Sequence, residues 1–400
     1  MKKHVLFVTG DLEIGGTQWH LVQLLPQLAE KDIRPAVYTI MQKGQLAGIL
    51  ERAGIEVIEP PFASFLRKVP QPFRRLAVIL LSGIKLYCVL WRRPQVVHFY
   101  LPMAYLMGGL ESLFVPLRWR VMSRRSLNLY QFAHPLLARI ERCLHRKMDV
   151  VSGNATPVMD DLRAEGIPDA KSVLIYNGVD LSRFDELPGR AETRRQLGLG
   201  NETLTLIMVA NFLPSKGHFD LLVALARIRD RLPADWCLLL AGSDYGCRAE
   251  LETTAAEYGL ADKVRFLDER HDVPALYAAA DLGVLSSHQE GFSNSVLEGM
   301  AARLPMIVTR TGGNTEAIVD GDCGLVVPVR RPDILGDAIM TLAADPDLRS
   351  RYGLRARQRV ERHFSMAVCV EQYLQFYNAL GGDEASSLAA IAAIAAKKID

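Results

Sequence analysis

No two of the six cysteines, at 88, 143, 237, 247, 323 and 369, stand at CxxC spacing, and no His/Cys group has metal-ligand spacing. That excludes a zinc ribbon or a thioredoxin-like redox motif and fits a reducing cytosol. A strong charge of either sign is lacking too. Forty-seven Lys+Arg against 45 Asp+Glu leave +2, too little to point to nucleic acid. The first strand-to-helix turn, TGDLEIGGT over residues 9–17, lacks G-x-G-x-x-G, so there is no dinucleotide fingerprint. The N-terminus, MKKHVLFVTG, has no long apolar h-region or small-residue cleavage site and reads as a first strand. The stretch that most suggests a membrane, LAVILLSGIKLYCVLW over residues 76–91, is short for a span and contains Lys85. The expectation is a cytoplasmic protein, associated at most with the inner face of a membrane.

What is present is apolar material for two cores: 49% hydrophobic residues in a chain of 400. Short apolar runs recur, each followed by a polar turn and a helix-like stretch. HVLFVT (4–9), RPAVYTI (34–40), QVVHF (95–99), 120–123 and 149–152 form one series. After the turn Asn177-Gly178-Val179-Asp180 the rhythm restarts with TLTLIMVA (203–210), WCLLLAG (236–242), VRFL (264–267), LGVLS (282–286) and MIVT (306–309). Alternating strands and helices predict an α/β chain of two doubly wound parallel-sheet domains. The expected division is 1–178, 179–365, a crossing helix 366–380 and a flexible tail 381–400. Ligands of open α/β sheets sit beyond the carboxyl ends of strands, and two such domains suggest a cleft between them.

The stretch EGFSNSVLEG (290–299) carries Glu290 in the loop after one strand and Glu298 inside the helix that follows. Ser295-Val296-Leu297-Glu298 fits an S-x-x-E capping box, and Glu290 alone is an ordinary loop acid. The same geometry also suits a nucleotide-sugar. Amides at a helix start, with Ser293, Asn294, Ser295 and Val296, meet phosphate. The flanking carboxylates accept hydrogen bonds from hydroxyls, the sugar's at Glu290 and the ribose's at Glu298. Both readings stand on spacing alone. Lys216, in VANFLPSKG (209–217), also lies between a strand end and a helix, where it could neutralise phosphate.

The E-x7-E arrangement, the Gly299-Met300-Ala301-Ala302 and Leu304-Pro305-Met306-Ile307-Val308-Thr309 segments after it, the turn Gly312-Gly313-Asn314-Thr315-Glu316 and the run Asp322-Cys323-Gly324-Leu325-Val326-Val327-Pro328 resemble the signature of the family 4 retaining glycosyltransferases. The resemblance covers nearly the whole C-terminal half and, in overall pattern, the N-terminal half. It implies the GT-B architecture and retaining transfer of a sugar from a nucleoside-diphosphate sugar to a hydroxyl of a glycan or lipid-linked acceptor, in polysaccharide or lipid-linked glycan assembly. No cofactor, metal or nucleic acid is implied. It makes Lys216 and Glu290 the catalytic candidates, Lys216 against the donor diphosphate, and Gly15-Gly16 a double-glycine loop whose backbone approaches the phosphates. Asn211 stands where the family often has arginine. His98 falls in a histidine-containing segment on the acceptor side, and Arg125 takes the place of a histidine found in many relatives. The segment 264–268 resembles the one that meets the nucleotide base. Asp345-Pro346-Asp347 superficially resembles a D-x-D metal motif but follows a helical stretch and reads as a turn.

Two other functions fit the same architecture: a sugar-nucleotide epimerase or hydrolase, and a non-catalytic binding subunit. The stretch 65–93 has two readings as well. Arg67, Lys68, Arg74, Arg75, Arg92 and Arg93 bracket its apolar helix. It is a core helix with solvated basic ends, or a peripheral membrane surface that Arg118, Trp119 and Arg120 extend.

Overall fold

Among the described residues, apolar runs of three to seven residues, too short for helices, form thirteen strands, nearly all of them buried. This is the pattern of parallel sheets covered on both faces. The computed structural model describes residues 2–61, 70, 73–100, 102–127, 131, 134–185, 189–382 and 384–395. Two compact units result: one of residues 1–177 with 366–400, the other of 178–365.

In the first unit the strands are β1 (Lys3–Thr9), β2 (Ile33–Thr39), β3 (Glu56–Ile58), β4 (Val96–Tyr100), β5 (Trp119–Arg124), β6 (Val150–Gly153) and β7 (Ser172–Leu174). They lie in the order β3-β2-β1-β4-β5-β6-β7, all parallel. The helix Met366–Ala379 belongs to this unit. It buries Met366, Cys369, Val370, Tyr373, Phe376 and Tyr377, a helical-period stripe that joins the core of β1, β4 and the helix Gly16–Glu30.

In the second unit the strands are β8 (Leu204–Val209), β9 (Trp236–Ala241), β10 (Val264–Phe266), β11 (Leu282–Leu285), β12 (Met306–Thr309) and β13 (Gly324–Val327). Their order is β10-β9-β8-β11-β12-β13, again parallel. The strand order reverses between β8 and β11, and such a switch point opens a crevice beyond the strand ends. Asp345 caps the helix Pro346–His363, its side chain accepting from the Leu348 amide at 2.8 Å.

Within the stretch expected as a tail, Glu384–Ala395 is a helix, with Ile391 and Ser387 buried. Its sequence, EASSLAAIAAIA, reads as low in information, but alanine is the strongest helix former and needs only a shallow apolar seat. The apolar run near residue 80 is the helix Phe73–Leu90. Arg67 and Lys68, and the side chains of Arg74 and Arg75, lie outside the described residues. Among the described residues no helix is long and apolar enough to cross a membrane.

Candidate active site

Two loops meet at the switch point of the second unit. The first leaves β8, passes through the single turn Pro214–Lys216 and reaches Gly217, whose φ of 70° is the left-handed region that favours glycine. A Cβ there would stand 2.1 Å from the Ser286 carbonyl oxygen. The second loop leaves β11 as Ser286-Ser287-His288-Gln289-Glu290. The two are tied by hydrogen bonds: the Ser286 hydroxyl donates to the Gly217 carbonyl at 2.8 Å, and the His288 amide to the Ser215 carbonyl at 2.8 Å. This backbone contact brings Lys216 Nζ to 2.7 Å from Glu290 Oε1, an oxygen that also accepts from Ser287 Oγ at 2.7 Å. Glu290 is braced from behind as well. Gly312, at φ 49°, lets the turn after β12 approach so closely that a Cβ would lie 2.0 Å from the Glu290 carbonyl oxygen. The Gly313 amide donates to Gly291 at 2.6 Å.

Past Glu290 the chain enters the helix Asn294–Ala301, with Ser293 at its N-cap in extended backbone. Ser295 is therefore the second residue of the helix, and the capping-box reading of Ser295–Glu298 does not hold. The Ser293 and Ser295 hydroxyls lie 3.0 Å apart. The first amides of an α-helix have no acceptor inside it and carry the positive end of its dipole, so this start suits an anion. One turn on, Glu298 Oε1 accepts from Arg183 NH1 at 3.2 Å. The carboxyl is 13% exposed. Burial pushes its pKa up, and the Arg183 charge and hydrogen bond only partly oppose that. Buried Tyr277 braces the same turn, donating to the Ser295 carbonyl at 2.8 Å. Asn211, beyond β8, uses its side-chain oxygen to accept from the Ser243 amide at 3.2 Å, which ties its loop to the one after β9.

The other sequence candidates lie in the first unit. Gly15 precedes the helix Gly16–Glu30 with φ −165°, extended backbone that does not itself demand glycine. His98 is a correction. Expected to line an acceptor, it is fully buried in β4, with Nδ1 2.8 Å from the Tyr377 hydroxyl and Nε2 2.7 Å from Ser123 Oγ. Both ring nitrogens are occupied within the core, and burial with the nearby Arg125 charge holds the imidazole neutral, its pKa well below the usual range. Arg125 donates to Asn177 Oδ1 and lies 5.8 Å over the Tyr100 ring. Its neighbour Arg124 points the other way, into a buried cluster with Glu141 at 2.8 Å and Glu165 at 2.5 Å. His145 completes that cluster, 2.8 Å from Glu165.

A family profile described as Glycosyltransferase Family 4 matches residues 14–183, and one described as Glycosyl transferases group 1 matches 189–359. The chain belongs to glycosyltransferase family 4. This transferase is 28% identical to the D-inositol 3-phosphate glycosyltransferase of Corynebacterium glutamicum (strain R) over 402 residues, 92% of each chain. It is 28% identical to the N-acetyl-alpha-D-glucosaminyl L-malate synthase of Bacillus anthracis over 61% of its own length and 63% of that protein's. Among solved structures, Anabaena Alr3699/HepE in complex with UDP-glucose superposes with a TM-score of 0.81 at 21% identity, covering 94% of this chain and 99% of that one. The shared fold is GT-B.

Of the sequence candidates, the second unit brings Lys216 and Glu290 into contact and sets Ser293, Asn294, Ser295, Val296 and Glu298 along one short helix. Sequence reasoning missed Arg183, the partner of Glu298. The only signal for it was a basic residue just past the turn at 177–180. It also missed His288, whose Nε2 lies 2.8 Å from Asp220 Oδ2 beside the Lys216 loop.

Proposed function

We propose that this glycosyltransferase moves a sugar, with retention at the anomeric carbon, from a nucleoside-diphosphate sugar to a hydroxyl of a glycan or lipid-linked acceptor. One observation carries the reading: at the β8/β11 switch point a lysine and a glutamate stand 2.7 Å apart beside a helix start, with a second carboxylate one turn further in. A diphosphate with hydroxyls on both sides suits that sequence of charges. In this reading Lys216 and the amides of Ser295 and Val296 take the charge that develops on the leaving diphosphate. Glu290 holds hydroxyls of the donor sugar, and Glu298, oriented by Arg183, holds the ribose. The leaving phosphate takes the acceptor's proton on the same face, so no side-chain nucleophile is named. With the leaving charge met by these groups, the reaction calls for no metal or cofactor. The named relatives transfer sugars, and one fold neighbour was crystallised with UDP-glucose; both support a nucleotide-sugar donor.

The test is calorimetric titration with UDP-, GDP- and ADP-glucose, followed by product analysis with the acceptors that permit turnover. Binding of one nucleotide-sugar, a product with the donor's anomeric configuration and turnover undiminished by a chelator are expected. An inverted product would overturn retention. Rapid hydrolysis or epimerisation without acceptor would replace transfer by the rival chemistry, and binding without turnover across a broad acceptor panel would indicate a binding subunit.

A further inference from the structure

In the first unit three neighbouring helices, Phe73–Leu90, Pro102–Ser112 and Pro135–His145, each turn apolar side chains to solvent, and the middle one touches both others. On the first, Leu80, Ile84, Tyr87 and Trp91 recur at helical spacing and are exposed. On the second and just beyond its end, Met103, Leu110 and Phe114 do the same, Phe114 to 69%. On the third, Leu136 and Ile140 sit one turn apart, Leu136 at 69%. Single exposed apolar residues are ordinary, but stripes on three adjacent helices mark a surface with a partner.

The charges say which partner. From 134 to 147 every exposed charged residue is basic: Arg139, Arg142, Arg146 and Lys147. The acid of that helix, Glu141, points inward to Arg124 at 2.8 Å. Arg92 and Arg93 are exposed just past the end of the first helix, where Arg93 lies 5.8 Å over the Trp91 ring. The acid of the middle helix, Glu111, is half-buried with one carboxyl oxygen enclosed. An apolar face edged by arginine, with an exposed tryptophan and tyrosine among its residues, complements a bilayer with anionic headgroups. Pairing with a second copy of the same face would set arginine against arginine.

We propose that these three helices form a peripheral docking surface for an anionic lipid bilayer, with Leu80, Ile84, Phe114, Leu136 and Ile140 entering the acyl boundary and Arg139, Arg142 and Arg146 meeting the headgroups. The surface lies wholly within the first unit and does not depend on the donor site.

The test is flotation of the full chain with vesicles of mixed phosphatidylglycerol and phosphatidylcholine, against pure phosphatidylcholine. The wild type floats with the anionic vesicles, less at high salt. Arg139→Gln with Arg146→Gln lowers partitioning about 25-fold, a factor of about five for each basic residue. Leu136→Gln with Ile140→Gln lowers it more than about tenfold, and Leu80→Gln with Ile84→Gln repeats that test on another helix should the first pair not fold. Circular-dichroism melts identify the variants that remain folded. Absence of flotation with anionic vesicles, or equal flotation of the wild type and every folded variant, overturns the proposal. So does a wild-type dimer that the apolar variants dissociate without any vesicle binding.

Discussion

Glu298→Ala separates a ligand-binding role from a structural one, because the two readings predict effects of different size on different measurements. The carboxyl is nearly enclosed, and among the described residues its charged partner in contact is Arg183, at 3.2 Å. Burial raises its pKa despite that partner, so the pair is not strongly stabilising as it stands. Arg183 is 22% exposed and can turn toward water when Glu298 is removed. Full burial of an orphaned charge costs about 3–5 kcal/mol and exposed pairs are worth about 0–1 kcal/mol. The expected stability loss lies near the lower end, about 1 kcal/mol. A carboxylate accepting from ribose hydroxyls contributes about 1.5–3 kcal/mol through charged hydrogen bonds. Its loss weakens donor binding about 10- to 150-fold.

The assay is titration calorimetry with the nucleotide-sugar that binds the wild type, paired with urea unfolding of each variant. Glu298→Gln keeps an acceptor oxygen without the charge and falls between wild type and alanine. Arg183→Ala weakens binding less than Glu298→Ala, and the double variant resembles Glu298→Ala alone, since Arg183 acts through the carboxylate. As pH falls, wild-type affinity begins to decline already above the ordinary carboxylate range, because the raised pKa protonates Glu298 early. If Glu298→Ala keeps its donor affinity within about twofold while remaining folded, the ribose role is refuted. The Arg183 pair is then a structural contact.

Lys216→Ala lowers kcat about 10²–10³-fold with a smaller change in KM, as expected for a group that meets charge in the transition state; unchanged kcat in the folded variant counts against it. Gly217→Ala, which combines a φ of 70° with a Cβ 2.1 Å from a carbonyl oxygen, lowers stability by about 1–3 kcal/mol, read as a shift in the urea midpoint, and reduces turnover by displacing the Lys216 loop. Burial pushes the Glu111 carboxyl up to about 7. The folded chain then holds that proton more tightly than the unfolded chain, and stability falls as pH rises from the ordinary carboxylate range towards 7. Glu111→Gln lacks this loss, so its melting temperature relative to wild type rises between pH 5 and pH 8; a constant difference across that range refutes the assignment.

How far the sequence could be read depended on the range over which each feature is determined. The strands were legible because parallel strands covered on both faces must be continuous apolar runs, and LTLIMV in β8 and LGVL in β11 satisfy that locally. Their adjacency was not legible, since it arises from a crossover, and Lys216 and Glu290 meet across 74 positions only because of it. The glycines at 217 and 312 were visible as turn signals, but their effect, two loops in backbone contact, depends on partners elsewhere in the chain. Arg183 had no motif to announce it. Its partner lies 115 positions away, and an isolated arginine in a short turn looks the same whether it is solvated or orienting a carboxylate. His98 fails for the opposite reason. A polar residue near a strand's end usually marks an accessible site, but a central parallel strand has no solvent face. The helix that supplies Tyr377 as its partner comes from 279 positions downstream. Local chemistry thus pointed to the candidate loops, while the orientation of Lys216, Glu298 and His98 was decided by partners 74, 115 and 279 positions away.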